Sequence, residues 1–237
     1  MKIISWNCNM AFRKKYDSIL AYKPDILVVP ECENLDRYSN LSSLFESGHK
    51  QWIGENQSKG LGVFSSSQYK LSVHEMYNPE FKYILPMRVE GLTKFILFAI
   101  WAMNDRVNPF RRYIAQIWLA LKYYDSLLDE STIICGDFNS NVIWDNESPK
   151  RAGTHTDVVN YLKEKGIKST YHVFNGEEQG KETQPTLYMY RKKDKPYHID
   201  YCFASENLLA RINGVDIGSY EEWSGLSDHS PISVTFE

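Results

Sequence analysis

Short, almost continuous runs of apolar residues that end in a polar residue most constrain how this chain can fold. Lys2–Trp6, Asp25–Pro30 and Thr132–Cys135 are such runs, and each is too short for a typical helix. The segment between the first two, Ala11–Tyr22, has apolar residues at helical spacing. The sequence therefore predicts a strand–helix–strand unit whose buried strands are neighbours in one sheet.

Other apolar segments extend this pattern along the chain. Helices are predicted over Arg111–Leu127, from its one-sided apolar spacing, and over Thr156–Lys165, where Thr156 and Asp157 can cap the start and Gly166 follows the end. Strands in two groups with helices among them predict an α/β fold of two packed, mixed β-sheets flanked by helices. The further predicted strands are Gly62–Phe64, Leu71–Tyr77, Tyr83–Val89, Lys94–Trp101, His198–Ala204, Ala210–Ile217 and Ile232–Phe236.

The chain carries no internal division. No linker, repeat or low-complexity tract interrupts the 237 residues, so we expect a single domain over residues 1–237. A doubly wound nucleotide-binding fold fits less well, because no Gly-rich phosphate loop follows a strand.

The charge balance limits the partners of the protein. The formal net charge is -3, and the basic run Arg191–Lys193 is diluted by Asp194. Proteins that hold duplex DNA through its phosphates usually have a basic face, so tight nonspecific nucleic-acid binding is not indicated. A bound metal ion, however, can recruit a phosphate without a basic surface.

The cysteines and the apolar runs bear on the compartment. The four cysteines form no CxxC pair, which argues against a zinc knuckle and favours reduced thiols that pack as small apolar groups. Met1 opens no signal-peptide pattern, and the longest apolar run, Phe95–Ala102, is too short to cross a bilayer. We therefore expect a cytoplasmic protein with no membrane insertion. The cysteines are Cys8, Cys32, Cys135 and Cys202.

Polar side chains follow several of the predicted strands directly. Asn7 ends the first strand, Glu31 ends the second, and Asp137 and Asn139 follow the strand over Thr132–Cys135. Rigid strands hold such groups in place while the loops beside them stay open, as an active site requires. One Asp after a strand is usually a turn residue, but the repetition favours a site. Other candidates are Asp200, in the strand over His198–Ala204, and the pair Asp228-His229, whose bland alternative is a loop pair or a helix cap.

These residues stand in motifs that resemble the endonuclease/exonuclease/phosphatase superfamily, the deoxyribonuclease-I-like and exonuclease III-like group. The motifs are SWN at 5–7, PE at 30–31, GDFN at 136–139, HIDY at 198–201 and SDH at 227–229. Their order and approximate spacing match from the first strand to the last, so the resemblance covers the whole chain. It implies a four-layer α/β sandwich and the divalent-metal-dependent hydrolysis of phosphoesters.

The resemblance also implies a metal site. Glu31 resembles the main metal-binding carboxylate of the family, and Asn7 would assist at that metal or orient a neighbouring carboxylate. Asp228 would lie near the metal as a ligand or as a group behind the ligands. Hard oxygen ligands with retained waters suit Mg²⁺ or Mn²⁺.

The remaining motif residues resemble the groups that act on the phosphate. Asp137 would position or deprotonate the attacking water, and Asn139 would donate a hydrogen bond to that water or to a phosphoryl oxygen. His229 would bind a non-bridging oxygen, while Asp200 would orient this histidine and favour its protonated form.

Four further residues, with less support from the motifs, are expected to contact substrate. Asn104 resembles an Asn of the repair nucleases, and Thr186 lies in a stretch that is often near substrate in the family. Trp101 stands where the family has a Tyr or His; an indole N–H donates a hydrogen bond but cannot transfer a proton, and a core position is its alternative. Arg112 can reach a substrate phosphate, or it can be a solvated residue at a helix start.

Three functions remain open on the sequence. The first is a nuclease that cleaves phosphodiester bonds by metal-assisted in-line attack of water. The second keeps this chemistry but acts on a small-molecule or lipid-headgroup phosphoester, and the third is a non-catalytic binding module on the same fold. We expect a monomer that needs no obligate protein partner.

Overall fold

Two six-stranded β-sheets pack face to face in the computed structural model of the chain, which describes residues 1–38, 41, 45, 48–129, 131–147 and 150–237. The strands are β1 (Lys2–Ser5), β2 (Ile26–Cys32), β3 (Lys50–Asn56), β4 (Lys59–Ser65), β5 (Tyr69–Val73), β6 (Ile84–Gly91), β7 (Phe95–Trp101), β8 (Thr132–Asp137), β9 (Ile167–Ser169), β10 (Leu187–Tyr188), β11 (Pro196–Tyr197), β12 (Asp200–Ser205), β13 (Ile212–Ile217) and β14 (Ile232–Phe236).

Each large sheet is mixed. The first has the strand order β13-β14-β1-β2-β4-β3, and the second has the order β5-β6-β7-β8-β12-β9. The pair β1 and β2 is parallel, as is the pair β7 and β8, while β12 runs antiparallel to β8. The carboxyl ends of β7 and β8 and the start of β12 therefore meet at one edge of the second sheet. Strands β10 and β11 form a separate two-stranded ribbon.

Helices cover the outer face of both sheets. The α-helices in the described residues are α1 (Tyr16–Leu20), α2 (Ile114–Tyr123), α3 (His155–Glu164), α4 (Thr170–Asn175), α5 (Glu206–Leu209) and α6 (Tyr220–Trp223). The apolar face of α2 packs on the second sheet, and Ile19 of α1 and Trp223 of α6 pack on the first.

The alternation of side chains along the strands explains the layers. Ile3 of β1 points into the core between the sheets, and its neighbour Ile4 points to the helix side of the first sheet. Leu97 and Phe98 of β7 divide in the same way between the central core and the core under α2. Strands with two buried faces are apolar at nearly every position. The predicted sandwich of two packed, mixed sheets flanked by helices is confirmed.

The helix predicted over Ala11–Tyr22 is wrong in its extent. The chain forms a short 3₁₀ helix over Phe12–Lys14 and then α1, with a break at Lys15, whose φ is -133°. Asn9, Met10 and Ala11 all have positive φ values, which keeps the helix from starting earlier.

Two other helix boundaries also differ from the prediction. The helix expected over Arg111–Leu127 starts only at Ile114, because Tyr113 has a φ of 52°, and α2 ends at Tyr123, before a short 3₁₀ helix over Asp125–Leu127. The helix expected over Thr156–Lys165 begins at His155 and is capped by Thr154, not Thr156. The Thr154 hydroxyl oxygen accepts the Asp157 N–H at 3.1 Å, and an Asp157 carboxylate oxygen accepts the Thr154 N–H at 2.9 Å.

Two further expectations can be compared with the structure. Cys8, Cys32, Cys135 and Cys202 are free and buried, as the sequence predicted. Across the described ranges, no helix combines the length and the apolar character that crossing a membrane requires.

Candidate active site

The ends of strands from both sheets bring the predicted site residues together. Asn7 follows β1 of the first sheet, and its Nδ2 donates to Asp137 Oδ2 of the second sheet at 2.9 Å. The same Nδ2 lies 3.5 Å from Oε1 of Glu31 in β2. Asn7 is thus the bridge between the two sheets. It was predicted as a metal-assisting or orienting residue, and in this structure it orients carboxylates.

Asp137 is a fully buried carboxylate held by amides. Besides the Asn7 contact, Oδ2 accepts from Asn139 Nδ2 at 3.0 Å and Oδ1 accepts the Asn139 backbone N–H at 2.8 Å. Asn139 has a φ of 47°, which asparagine tolerates better than most residues, and this turns its side chain back onto Asp137. The amide also donates to the Ala102 carbonyl at 3.0 Å, so the turn after β8 is fixed.

A histidine–carboxylate pair faces Asp137. Nδ1 of His229 lies 2.8 Å from Asp200 Oδ2, and both residues are buried. Asp200 and Asp137 are partners in the register of β12 and β8. Within the part of the chain that the structure describes, His229 Nε2 makes no hydrogen bond, so this ring nitrogen remains for a ligand.

Two hydroxyl groups fix this pair in place. Ser227 Oγ donates to the Asn7 carbonyl at 2.7 Å and accepts the His229 N–H at 3.0 Å, which joins the SDH motif to the end of β1. Thr186 is fully buried, and its Oγ1 lies 2.9 Å from both the Ile199 and the Asp200 N–H. Thr186 therefore holds the start of β12 here, and its expected contact with substrate stays a prediction.

Burial and the neighbouring charges shift the pKa values of two residues in the site. Burial and the charge of Asp200 raise the pKa of Asp137 to about 7, although His229 and Asn7 act in the opposite direction. Burial alone would lower the pKa of His229, but the charge and hydrogen bond of Asp200, with help from Asp137, raise that pKa to about 10. The arrangement therefore presents a carboxylate poised near neutral pH beside a cationic imidazole ring.

Glu31 is presented by a bulge in its strand. The pairing of β2 with β4 shifts register between Pro30 and Cys32, and Glu31 between them has a φ of 61°. The carboxylate is half-buried, and Oε2 pairs with Lys59 Nζ at 3.0 Å. The bulge turns the Glu31 side chain toward Asn7 and the ammonium group of Lys59 rather than into the sheet.

The donor chemistry around Glu31 fits a divalent metal ion. Glu31 offers carboxylate oxygens that already face a cation, the ammonium group of Lys59. A second set of potential metal ligands consists of Asp137, Asp200 and His229, whose ligand atoms lie within 4.8 Å of one another. Because His229 is held cationic and its Nδ1 is bonded to Asp200, that second group suits a phosphoryl oxygen better than a metal.

Asp228 reaches the site through a residue that the sequence did not single out. Asn9 Nδ2 donates to Asp228 Oδ1 at 2.8 Å, and the Asn9 N–H donates to Asn7 Oδ1 at 3.0 Å. Asn9 has a φ of 50°. The signal in the sequence is only an asparagine two residues after Asn7; the left-handed backbone that asparagine tolerates is seen in the structure.

Among the described residues, no hydrogen bond joins the side chains of the other expected substrate contacts to this cluster. Trp101 is buried, packs on the Tyr83 ring at 4.6 Å between centroids, and is the register partner of Asp137. Asn104 is exposed in the loop after β7. Arg112 is half-buried at the end of a 3₁₀ helix, and its Nε has no hydrogen-bond partner among the described residues. Their substrate roles stay predictions.

With this geometry established, comparison with known proteins identifies the family. The model of the endonuclease/exonuclease/phosphatase family matches residues 4–229. The chain belongs to the endonuclease/exonuclease/phosphatase family. The predicted membership and the predicted class of phosphoester hydrolase are confirmed. The sequence has no significant match among curated proteins.

Solved structures of this family show the same fold. A 3′ phosphatase, NExo, from Neisseria, bound to a product DNA hairpin, is 18% identical with a TM-score of 0.69, over 100% of this chain and 99% of that chain. An AP endonuclease from Archaeoglobus fulgidus gives the same identity, TM-score and coverage. The catalytic domain of APE2 from Xenopus laevis is 16% identical with a TM-score of 0.66, over 100% of this chain and 91% of that chain.

Proposed function

We propose that this member of the family is a nuclease that hydrolyses phosphodiester bonds and requires Mg²⁺ or Mn²⁺. The observation that carries the proposal is that an amide-held carboxylate, Asp137, and a histidine bonded to a second carboxylate, His229, converge where two sheets meet. Water activation and neutralisation of phosphoryl charge are what in-line attack on phosphorus needs. When a divalent ion is bound at Glu31, it supplies further neutralisation of the phosphate and stabilises the leaving oxygen.

Asp137 and its amides are assigned to the nucleophile. Asp137 accepts a proton from the attacking water as the new P–O bond forms, and a pKa of about 7 suits this task at neutral pH. Asn7 and Asn139 hold the carboxylate so that it need not reorganise during attack. The bond from phosphorus to the leaving oxygen breaks on the opposite side.

His229 and Asp200 are assigned to the phosphoryl oxygens. Because Nδ1 is directed to Asp200, the protonated ring presents Nε2–H to a non-bridging oxygen. Asp200 Oδ1 is buried and has no hydrogen-bond partner among the described residues. The charge of Asp200 and its hydrogen bond to the ring raise the pKa of His229 and so favour the protonated form of the ring.

A basic hairpin beside the site supports a nucleic-acid substrate. The hairpin, residues 187–197, is joined to the site because Leu187 bridges to His229 and the Tyr188 N–H donates to the Asp228 carbonyl at 2.7 Å. It carries the basic run Arg191–Lys193 and the largely exposed ring of Tyr190. Positive charge with an exposed aromatic ring is the combination that binds a nucleic-acid strand. The basic residues are Arg191, Lys192, Lys193 and Lys195.

The test is cleavage of a substrate panel with Mg²⁺, Mn²⁺ or EDTA. The panel holds single-stranded DNA, abasic duplex DNA, a 3′-phosphorylated DNA hairpin, RNA, inositol phosphates and a generic phosphodiester. We expect metal-dependent cleavage of a nucleic acid, lost in Glu31→Gln. The matched control is Glu75→Gln, which removes a glutamate that pairs with Arg88, away from the site residues described above.

The net charge of -3 favours a second candidate, a phosphatase of small phosphoesters. Activity confined to inositol phosphates or the generic diester would replace the nuclease proposal with this one. Metal binding with no turnover across the panel would instead indicate a binding module.

We propose that the protein acts in the cytoplasm as a monomer. The free, buried thiols of its four cysteines support a reducing compartment. Cell fractionation tests the location, and light scattering after gel filtration tests the oligomeric state.

A further inference from the structure

Lys59 stands opposite the bulge that presents Glu31. It is the first residue of β4, and the next residue along, Gly60, pairs with Cys32 across the shift in register. Lys59 Nζ lies 3.0 Å from Glu31 Oε2, and both side chains are partly exposed. None of the family motifs in this sequence contains Lys59.

The ammonium group of Lys59 also lies over an aromatic ring. Nζ is 5.0 Å from the centroid of Trp101, which is buried beside the Asp137 strand. The face of an indole ring attracts a cation without fixing it by a hydrogen bond. Lys59 therefore lies between the Glu31 carboxylate and the face of the Trp101 ring. Its flexible stem lets the ammonium group shift over that ring.

We infer that Lys59 is a metal-competing, phosphate-binding residue. Its ammonium group neutralises Glu31 while no metal is bound, and it moves to a substrate phosphate when a divalent ion takes the carboxylate. This inference rests on the proposed function, because it assumes a metal at Glu31 and a phosphate beside it. It adds a residue from β4 to the strand ends that form the site.

An ordinary structural ion pair predicts the opposite result for metal binding. If Lys59 only holds Glu31 in position, its loss loosens the carboxylate and weakens metal affinity. If Lys59 competes for Glu31, its loss removes both the competitor and a repelling charge, and metal affinity rises. The sign of the change therefore separates the two roles.

The first experiment measures Mn²⁺ binding to the protein by calorimetry without substrate. We expect Lys59→Met to tighten binding about threefold, the size of effect given by a partly exposed ion pair, and Lys59→Arg to stay near wild type because it keeps the charge. Lys122→Met is the matched control, since Lys122 Nζ lies over the Trp118 ring at 4.7 Å away from Glu31. Unchanged or weaker binding by Lys59→Met overturns the inference.

The second experiment measures cleavage of the best substrate of the panel at saturating Mn²⁺. We expect Lys59→Met to raise KM about tenfold and Lys59→Arg to restore most of the affinity. A wild-type KM in Lys59→Met rules out the contact with phosphate.

Glu31→Gln separates failure of the inference from failure of the proposed function. If Glu31→Gln loses Mn²⁺ binding while Lys59→Met leaves it unchanged, the role of Lys59 alone is wrong. If Glu31→Gln binds Mn²⁺ as well as wild type, the metal site itself is wrong and the inference fails with it.

Discussion

Two buried histidine–carboxylate pairs lie among the residues that the structure describes, and one of them belongs to the candidate active site. His229 pairs with Asp200 at 2.8 Å, and His172 pairs with Glu182 at 3.1 Å. Both histidines and both carboxylates are largely buried. Residue type and burial therefore do not distinguish the two pairs.

The difference lies in which hydrogen bonds remain available. Both ring nitrogens of His172 have partners, since Nδ1 contacts Ser169 Oγ at 2.7 Å and Nε2 contacts Glu182. Glu182 also accepts from Asn141 Nδ2 at 3.2 Å and from the Gly180 N–H at 2.9 Å. His229, in contrast, keeps Nε2 free of hydrogen bonds within the described residues. A structural pair uses its hydrogen-bonding capacity internally, whereas the site retains some for a ligand.

Asp137, the acid that faces the His229–Asp200 pair, differs from Glu182 in the same sense. Burial would raise the pKa of Glu182, but His172 and backbone N–H donors lower it to about 2. Burial and Asp200 raise the pKa of Asp137 to about 7. Glu182 is thus a fixed negative charge at neutral pH, while Asp137 can exchange a proton. We expect changes at Asp137, Asp200 or His229 to affect turnover. Changes at His172 or Glu182 are expected to affect stability.

The largest expected effect is that of Asp137→Asn. This change keeps the shape of the side chain but removes the proton acceptor, so kcat is expected to fall by about 10³-fold, within the range for general bases. Steady-state cleavage of the best substrate measures it, with far-UV circular dichroism to show an intact fold. Turnover within tenfold of wild type would exclude Asp137 as the base.

A smaller loss of turnover is expected for His229→Gln. Glutamine cannot carry the positive charge that His229 offers to a phosphoryl oxygen, and a lost transition-state donor costs about 10²- to 10³-fold in kcat. His172→Gln is the matched control, because it alters the other buried pair and is expected to change kcat by less than about threefold. Equal losses in both variants would contradict the distinction between the pairs.

The sequence predicted the sandwich fold, and it predicted polar residues at strand ends that the structure brings together, because both depend on local patterns; the roles of these residues stay predictions. Apolar runs with two buried faces predict strands such as β1 and β2, and the polar residues at their ends predict Asn7 and Glu31 at one place. The sequence did not predict that Lys59 lies beside Glu31, because the position of Lys59 depends on the pairing of β4 with β2 across a bulge. Pairing between distant strands has no local signal.

Helix boundaries were the weaker part of the prediction. Apolar spacing continued through Lys15 and Tyr113, but backbone angles at these residues break the helices. A tertiary contact holds the start of the 3₁₀ helix, since the buried carboxylate of Glu33 accepts the N–H of Phe12 at 2.8 Å and the N–H of Arg13 at 3.1 Å. Such a contact fixes where the helix begins and cannot be inferred from spacing.

The third prediction concerns stability and uses Glu182→Gln. The change removes the negative charge of the carboxylate to which His172 and Asn141 are both hydrogen-bonded. We expect the free energy of unfolding to fall by about 2 kcal/mol, the contribution of a buried hydrogen bond to a charged group. Urea unfolding at pH 7 measures the loss, and kcat is expected to stay within about twofold. A stable protein with a large loss of kcat would move Glu182 into the catalytic machinery.

The smallest expected effect appears only on acidification and uses His155, a fully buried neighbour of the structural pair. Burial lowers the pKa of His155 from 6.5 to about 4. The unfolded chain therefore binds a proton as the pH falls below 6.5, while the folded chain does not until about pH 4. The free energy of unfolding must fall over this window. From pH 7 to pH 5.5 this one group should remove about 1 kcal/mol.

His155→Gln removes the titrating ring and can keep a hydrogen bond to Gln179, which lies 3.2 Å from Nε2. Urea unfolding of wild type and variant at pH 7, 6 and 5.5 should give a shallower loss of stability in the variant, by about 1 kcal/mol over the series. Other buried groups titrate equally in both proteins, so the difference isolates His155. Parallel pH profiles would mean that His155 takes up its proton in the folded state, and the structural cluster would then be more open to water than its burial indicates.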